Sequence, residues 1–301
     1  LSPKETKPVH VYAGNFDIYL SPPPASGGLL VGFGLQLLEQ VPNEIWQDPT
    51  KQALAMIAAM ATTQLVRTST LDPLLHARRH ESQRELENFL SENEMKKWRE
   101  IFHTALESND PLVLPPENQL GSTTHISTID AQGLGCSITS SNGEGCGHLV
   151  PETSAMANNF MGEEDLHPNG FHKMPAGSTL TSMMCPTAVT DTDGLKLMLG
   201  TGGSNRIRTA LLQVLGNHLF GDKPLKEAVI APRTHYEGGM LYVESVGTEN
   251  KKMDLQTLEH LRNLPVEHLI FEEPNMFFGG VNAAARNYEG AGDQRRGGNI
   301  A

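Results

Sequence analysis

Gly121-Ser122-Thr123-Thr124-His125-Ile126-Ser127 is the stretch from which the fold is read. Upstream, residues 109–122 contain prolines and lack hydrophobic periodicity, the composition of an exposed loop. Downstream, Thr124, Ile126 and Thr128 alternate with His125, Ser127 and Ile129, the period of a strand with one buried face. Residues 130–133 supply a turn and residues 134–140 a second strand, so the segment predicts a β-hairpin. A loop running straight into a buried strand is where a strained peptide bond can be cut. Scission between Ser122 and Thr123 would give Thr123 a free α-amine beside its own hydroxyl. Such an amine has a pKa of roughly 8 and can act as base near neutral pH, activating the hydroxyl as a nucleophile. The competing reading is a pair of β-branched residues that simply opens a strand.

Working outward, residues 17–20 read as a strand, and the run Pro22-Pro23-Pro24-Ala25-Ser26-Gly27-Gly28 as a rigid turn. Residues 29–39 carry helical spacing. Asp48-Pro49 is a helix start, with an N-cap and then Pro at the first position, and residues 51–66 should form a buried helix. Residues 74–106 are charged and helical, with a capping-box pattern at Ser91 and Glu94. Beyond the hairpin, residues 195–199 predict a strand entering Gly200-Thr201-Gly202-Gly203-Ser204-Asn205, then a helix over 205–220. A strand at 240–244 and a helix at 255–264 follow. Strands mixed with segregated helices indicate an α+β fold. Glycines at a strand-to-helix turn let backbone N–H groups approach a ligand, which suits an oxyanion hole. The same turn could merely be tight. It is not a phosphate-binding P-loop, since no Lys-Ser/Thr follows, and the glycine spacing misses the dinucleotide fingerprint.

The 301-residue chain carries a net charge of −12, which argues against a duplex nucleic-acid binder. No run of about 18 apolar residues predicts a membrane span. Cys136, Cys146 and Cys185 are too few and too odd in number for a disulfide framework, and lean towards a reducing, cytoplasmic compartment. No signal peptide is visible. The polar run 140–145, with Asn158-Asn159 and Glu163-Glu164-Asp165, could hold an ammonium and a carboxylate, or could be surface turns. His76 and His80 have metal-ligand spacing, but Arg78 and Arg79 between them mark an exposed basic face. His167 and His172 flank a loop and lack a completing Cys or carboxylate. Neither a metal nor a cofactor is expected.

The order of these motifs is more specific than any one of them. Thr123-Thr124-His125-Ile126-Ser127, Asn158-Asn159, Leu180-Thr181-Ser182-Met183, Pro186-Thr187, Gly202-Gly203-Ser204-Asn205-Arg206, Ala231-Pro232-Arg233 and the tail Gly290-Ala291-Gly292-Asp293 with Arg295-Arg296-Gly297-Gly298 succeed one another. In this the chain resembles the γ-glutamyltransferase family of N-terminal-nucleophile amidohydrolases. The resemblance implies a four-layer αββα sandwich, with the N-terminal part of the large subunit missing. It implies residues 1–122 as the end of the large-subunit region and 123–301 as the small subunit. Carried over residue by residue, Thr123 is nucleophile and its own base, Ser141 supports it, and Gly202 and Gly203 form the oxyanion hole. Asn142 and Glu163 meet the substrate's α-amino end, and Thr181 and Ser182 its α-carboxylate. Phe160 stands where better-known members carry Gln, the loop after Ser141 is short, and the Arg that clamps the α-carboxylate is absent.

The expected activity is transfer or hydrolysis of glutathione or a related γ-glutamyl amide, with an amino acid, peptide or water as acceptor. Its implied assembly is a large/small heterodimer, open to further association. An acylase with another amide substrate is the alternative, which the apolar Phe160 suits. A non-catalytic, uncleaved scaffold is the other.

Overall fold

The computed structural model describes residues 5–77, 79–108, 123–163, 166–167, 170–177 and 179–301, with backbone only for 79–83. The loop expected at 109–122 lies outside this set, and so do Ser122, Glu164, Asp165 and the His80 side chain. Eleven strands are described: β1 Val9–Ala13, β2 Phe16–Leu20, β3 Thr123–Ile129, β4 Gly135–Ser141, β5 Thr187–Asp191, β6 Gly194–Gly202, β7 Thr234–Glu237, β8 Met240–Glu244, β9 Glu267–Phe271, β10 Gly280–Ala285 and β11 Gly290–Ala291. The helices on the N-terminal side are α1 Ser26–Leu38, α2 Asn43–Trp46, α3 Pro49–Val66, α4 Asp72–His76, α5 Arg79–Asn88 and α6 Glu92–Ser108. After the hairpin come α7 Arg206–Leu215, α8 Leu225–Ile230 and α9 Leu255–Arg262.

The central element is a six-stranded antiparallel sheet in the order β1-β2-β5-β6-β10-β11. Alternation along β6 explains the layering. Leu197 and Leu199 are fully buried in the main core, where α1 and α7 pack on the sheet. Met198, Gly200 and Gly202 point the other way, and there the hairpin β3–β4 lies across β6 and β10. The hairpin itself is the one read from the sequence. Its register pairs Thr123 with Ser141 and Ile129 with Gly135. Asp130 closes the turn by accepting from the backbone N–H of Gln132 and Leu134 at 2.9 Å each.

Helix α1 is apolar on almost every side and is buried on every side, as that composition requires. Asp48 caps α3 through its carboxylate, accepting from Thr50 and Lys51 backbone N–H groups at 3.0 and 3.1 Å. Helix α3 then packs on α1, α6 and β7 of the smaller sheet β7-β8-β9. The helix expected at 205–220 divides: α7 runs to Leu215, and Gly216–Phe220 continues as a π-helical turn. A second π-helical turn, Arg67–Leu71, follows α3. Such turns insert a residue into the helical ladder and re-aim the side chains around it. Among the described residues no helix is long and apolar enough to cross a membrane.

The C-terminal tail is fastened by buried charges. Arg233 Nη2 stands 2.6 Å from Asp293, Arg295 Nη2 2.5 Å from Glu244 and Arg295 Nη1 3.2 Å from Asp293, with all four side chains inaccessible or nearly so. Asp293 also accepts from Val281 N–H on β10 at 3.1 Å. Each charge is paired and hydrogen-bonded, which is what makes its burial tolerable. The network holds the tail against β10, beside the hairpin.

Candidate active site

Thr123 is the first residue of β3 and opposes Ser141, the last of β4. Its hydroxyl donates to Ser141 Oγ at 3.1 Å, and Ser141 Oγ also accepts from Gly143 N–H at 3.1 Å. One oxygen thus orients the Thr123 hydroxyl and the loop after β4 together. Beneath this pair lies Gly202. A Cβ built there would stand 1.9 Å from the Thr123 carbonyl oxygen, so only glycine permits the strand to lie so close.

A narrow cavity of about 60 Å³ opens beside the hydroxyl. Thr123, Ser141, Glu163, Thr181 and Ser182 line it together, so five of the eight residues expected from the sequence converge. Asn142 and Gly202 line a second, wider cavity of about 580 Å³, which shares Thr123 and Ser141 with the first. Gly203 lines neither. It sits in the strand-to-helix turn with φ 135°, followed by Ser204 at φ 50°, and Ser204 lines the narrow cavity.

Each of these groups is held by its surroundings. Glu163 Oε1 and Asn159 Oδ1 both accept from Glu144 N–H, at 2.9 and 2.8 Å, which ties the loop after β4 to the segment carrying Glu163. Ser182 belongs to no strand. Its carbonyl accepts from the N–H groups of Ser26 and Gly27 at the start of α1, at 2.8 and 3.3 Å, and its hydroxyl accepts from Met184 N–H at 3.0 Å. A Cβ at Gly27 would stand 2.1 Å from Met183 O, which explains the glycine in the first turn of α1. Phe160, Leu166, Leu180, Met183, Met184 and Ile207 give the same cavity an apolar wall.

Two supports were not read from the sequence. Asn205, buried at the head of α7, accepts from Arg67 Nη1 at 3.1 Å. Arg67 in turn stands 3.2 Å from Asp72 and 3.6 Å from Glu237. The carboxylate of Glu237 is fully buried. Contacts with His235, Arg208 and Arg67 outweigh its desolvation and hold its pKa down at about 2. His125 lies two residues beyond Thr123 on the same face of β3. Its ring nitrogens meet Thr139 Oγ1 at 2.8 Å and Ser127 Oγ at 2.7 Å, and burial pushes its pKa down to about 4. It is therefore a neutral imidazole at physiological pH.

His76 spends Nδ1 on the Asp72 carbonyl at 2.7 Å. Among the described residues no three His, Cys, Asp or Glu side chains are arranged to hold a metal ion.

The chain is similar to several known proteins. The acylase ACY 1 proenzyme of a Pseudomonas species is 32% identical over 170 residues, covering 56% of this chain and 29% of that protein. The glutathione hydrolase proenzyme of Arthroderma benhamiae is 28% identical over 253 residues, 79% of this chain and 42% of that protein. The capsule biosynthesis protein CapD proenzyme of Bacillus anthracis is 27% identical over 303 residues, 97% of this chain and 52% of that protein. The chain thus spans from under a third to about half of the length of these relatives. A solved cephalosporin acylase from Bacillus halodurans shares the fold, with a TM-score of 0.72 over 100% of this chain and 54% of that one, at 18% identity. The sequence model described as gamma-glutamyltranspeptidase matches residues 2–301, and the chain belongs to that family.

Proposed function

We propose that this chain carries the nucleophile half of an N-terminal-nucleophile amidohydrolase that acts on γ-glutamyl amides such as glutathione. The bond between Ser122 and Thr123 is cut by the chain itself, and Thr123 becomes nucleophile and base. Its Oγ attacks the amide carbonyl, its α-amine takes the hydroxyl proton and passes it to the leaving amine, and an ester to Thr123 remains. Backbone N–H groups at Gly202 and Gly203 stabilise the oxyanion. Ser141 orients the hydroxyl. Asn142 and Glu163 hold the α-amino end of the substrate, and Thr181 and Ser182 its α-carboxylate. Water or an acceptor amine then releases the acyl group. The observation that carries this reading is the Thr123 hydroxyl, donating to Ser141 on the rim of a cavity that also holds Glu163, Thr181 and Ser182.

The four-layer αββα arrangement is part of the same proposal. The helices packed on one face of the six-stranded sheet and the hairpin lying across the other support it. Ile126 and Ile138 on the outer face of the hairpin are 62% and 56% exposed, an apolar surface suited to further structure. On this reading residues 123–301 form the small subunit, paired with a large subunit that ends at Ser122.

A second reading, an acylase for a less polar acyl group, is favoured by Phe160 and the apolar wall of the narrow cavity. Intact mass spectrometry together with turnover of a γ-glutamyl anilide tests the proposal. The expected result is a fragment beginning at Thr123, with both cleavage and turnover lost in Thr123→Ala. Turnover that survives in Thr123→Ala would remove Thr123 as nucleophile.

A further inference from the structure

Gly200-Thr201-Gly202-Gly203 ends β6 and opens the turn into α7, and Thr201 supplies the one side chain in it. That side chain has no part in the chemistry described so far, yet it is fully buried. Its hydroxyl accepts from the Gly280 N–H on β10 at 2.9 Å and donates to the carbonyl of Gly202, the next residue, at 2.8 Å. Gly280 and Gly202 are partners in register across β10 and β6. The hydroxyl thus stands between the two, with one donor and one acceptor role filled.

This contact fixes the direction of one peptide unit. Successive residues of a strand face opposite sides of the sheet. Gly202 faces the hairpin, since a Cβ there would stand 1.9 Å from the Thr123 carbonyl oxygen. Thr201 therefore faces α7, and the Gly202 oxygen is drawn the same way. A Cβ at Gly279 would stand 2.9 Å from that oxygen, 3.1 Å from Thr201 Oγ1 and 3.3 Å from Ala210 Cβ of α7, so the three atoms surround one point on the helix side. In a planar trans peptide the N–H is antiparallel to the C=O. With the Gly202 carbonyl drawn towards α7, the Gly203 N–H is directed to the opposite side, where Thr123 lies.

Such a hold is needed because crowding dictates glycine on both sides of this peptide. Thr123 presses on Gly202, and a Cβ at Gly203 would stand 3.0 Å from Gly279 Cα. A peptide unit between two glycines has wide conformational freedom and can turn over with little movement of its neighbours. An oxyanion donor is effective only when it is aimed before the charge develops. We propose that Thr201 is a positioning residue for the oxyanion hole. Its hydroxyl locks the Gly202–Gly203 peptide with the Gly203 N–H aimed at the substrate's carbonyl oxygen. The inference rests on the proposed acyl transfer by Thr123. Thr201 itself touches no substrate and acts through that one peptide unit.

Three variants test it. Thr201→Val removes the hydroxyl and nearly keeps the shape, Thr201→Cys puts a weaker donor in its place, and Thr201→Ser retains the hydroxyl. The readouts are kcat and KM on a γ-glutamyl anilide, and inhibition by two glutamate analogues. One bears a boronic acid in place of the γ-carboxyl group, and the other, norvaline, a methyl group. The boronate closes on Thr123 Oγ as a tetrahedral adduct and places an oxygen in the oxyanion hole, whereas norvaline fills the acyl site without one. In Thr201→Val kcat should fall on the order of tenfold to a hundredfold, short of the full loss of an oxyanion donor, with KM nearly unchanged. Boronate inhibition should weaken by the same factor, and norvaline inhibition should hold. Thr201→Ser should behave as wild type. Thr201→Cys should fall between, and it decides by the same readouts if Thr201→Val does not fold. A folded variant without the hydroxyl whose kcat and boronate inhibition equal those of wild type overturns the assignment. So does equal weakening of both inhibitors, the mark of a packing defect. Absence of turnover in wild type removes the proposed activity and this role together, whereas the two outcomes before it remove the role alone.

Discussion

Thr123 and Ser141 face each other across the open end of a hairpin, and the Thr123 hydroxyl donates to Ser141 Oγ at 3.1 Å. The pairing makes the orientation of the Thr123 hydroxyl a property of sheet register rather than of a loop. It also gives Ser141 two duties, since the same oxygen accepts from Gly143 N–H. Removing it in Ser141→Ala should lower kcat by about fivefold, the worth of one hydrogen bond of about 1 kcal/mol, with little change in KM. Steady-state kinetics on a γ-glutamyl anilide measure this, and a kcat equal to wild type would refute the supporting role.

Gly202 sets the height of Thr123, the proposed nucleophile. Its absent Cβ would fall 1.9 Å from a backbone oxygen, which cannot rotate away. Gly202→Ala should therefore displace Thr123 by an appreciable fraction of an ångström and cost on the order of a hundredfold in kcat. Gly162 is the matched control. It is close to the cavity in sequence, yet a Cβ there meets nothing within 4 Å and its φ is not positive. Gly162→Ala should change stability by no more than about 0.5 kcal/mol, as thermal melts will report.

Legibility in the sequence followed the range of the interaction. The hairpin and the start of α3 were readable because alternation, the Asp130 turn and the Asp48 cap act within a few residues. Strands β1, β5 and β10 were not. Strand β1 pairs with the adjacent β2 but follows a polar lead, whereas β5 and β10 also pair with the distant β2 and β6, and β10 is Gly-Val-Asn-Ala-Ala-Ala, too small in its side chains to show alternation. Thr123 stood out in the sequence because a proline-containing, aperiodic segment gives way to strand alternation there, and β3 begins at that residue. Thr181 and Ser182 were reached only through the family resemblance, since their segment is irregular and is held by α1 across 156 residues. The Arg67–Asn205 bond spans 138 residues and follows a π-helical turn, a distortion that carries no sequence period.

Phe160 and Glu163 divide the two substrate readings. Both line the narrow cavity, one apolar and one acidic. Glu163→Gln should raise KM about tenfold for a donor bearing an α-ammonium, because a charge-assisted hydrogen bond becomes a neutral one. A glutaryl donor, lacking that ammonium, should be indifferent. Phe160→Gln should lower KM several-fold for the γ-glutamyl donor and raise it for the glutaryl one. The reverse pattern in both variants would favour the acylase reading over γ-glutamyl transfer.

Acid should weaken the fold in two stages. His125 is buried and neutral, with its pKa reduced from 6.5 to about 4 by desolvation. The unfolded chain therefore binds this proton first, and the stability linked to it is complete above pH 6.5 and lost as pH falls to about 4. A shift of that size corresponds to a loss on the order of 3 kcal/mol. His235, likewise buried with its pKa lowered by desolvation, adds to the same limb. Glu237, held at about 2 against an ordinary 4.5, contributes stability present above pH 4.5 and lost from there towards pH 2. Denaturant midpoints measured from pH 7 to pH 3 should fall first below pH 6.5 and again below 4.5. His125→Asn keeps a polar group between Ser127 and Thr139 but cannot titrate, so its upper limb should flatten while the lower one persists. An upper limb of undiminished slope in that variant would mean that His125 does not enter the fold as a buried neutral ring.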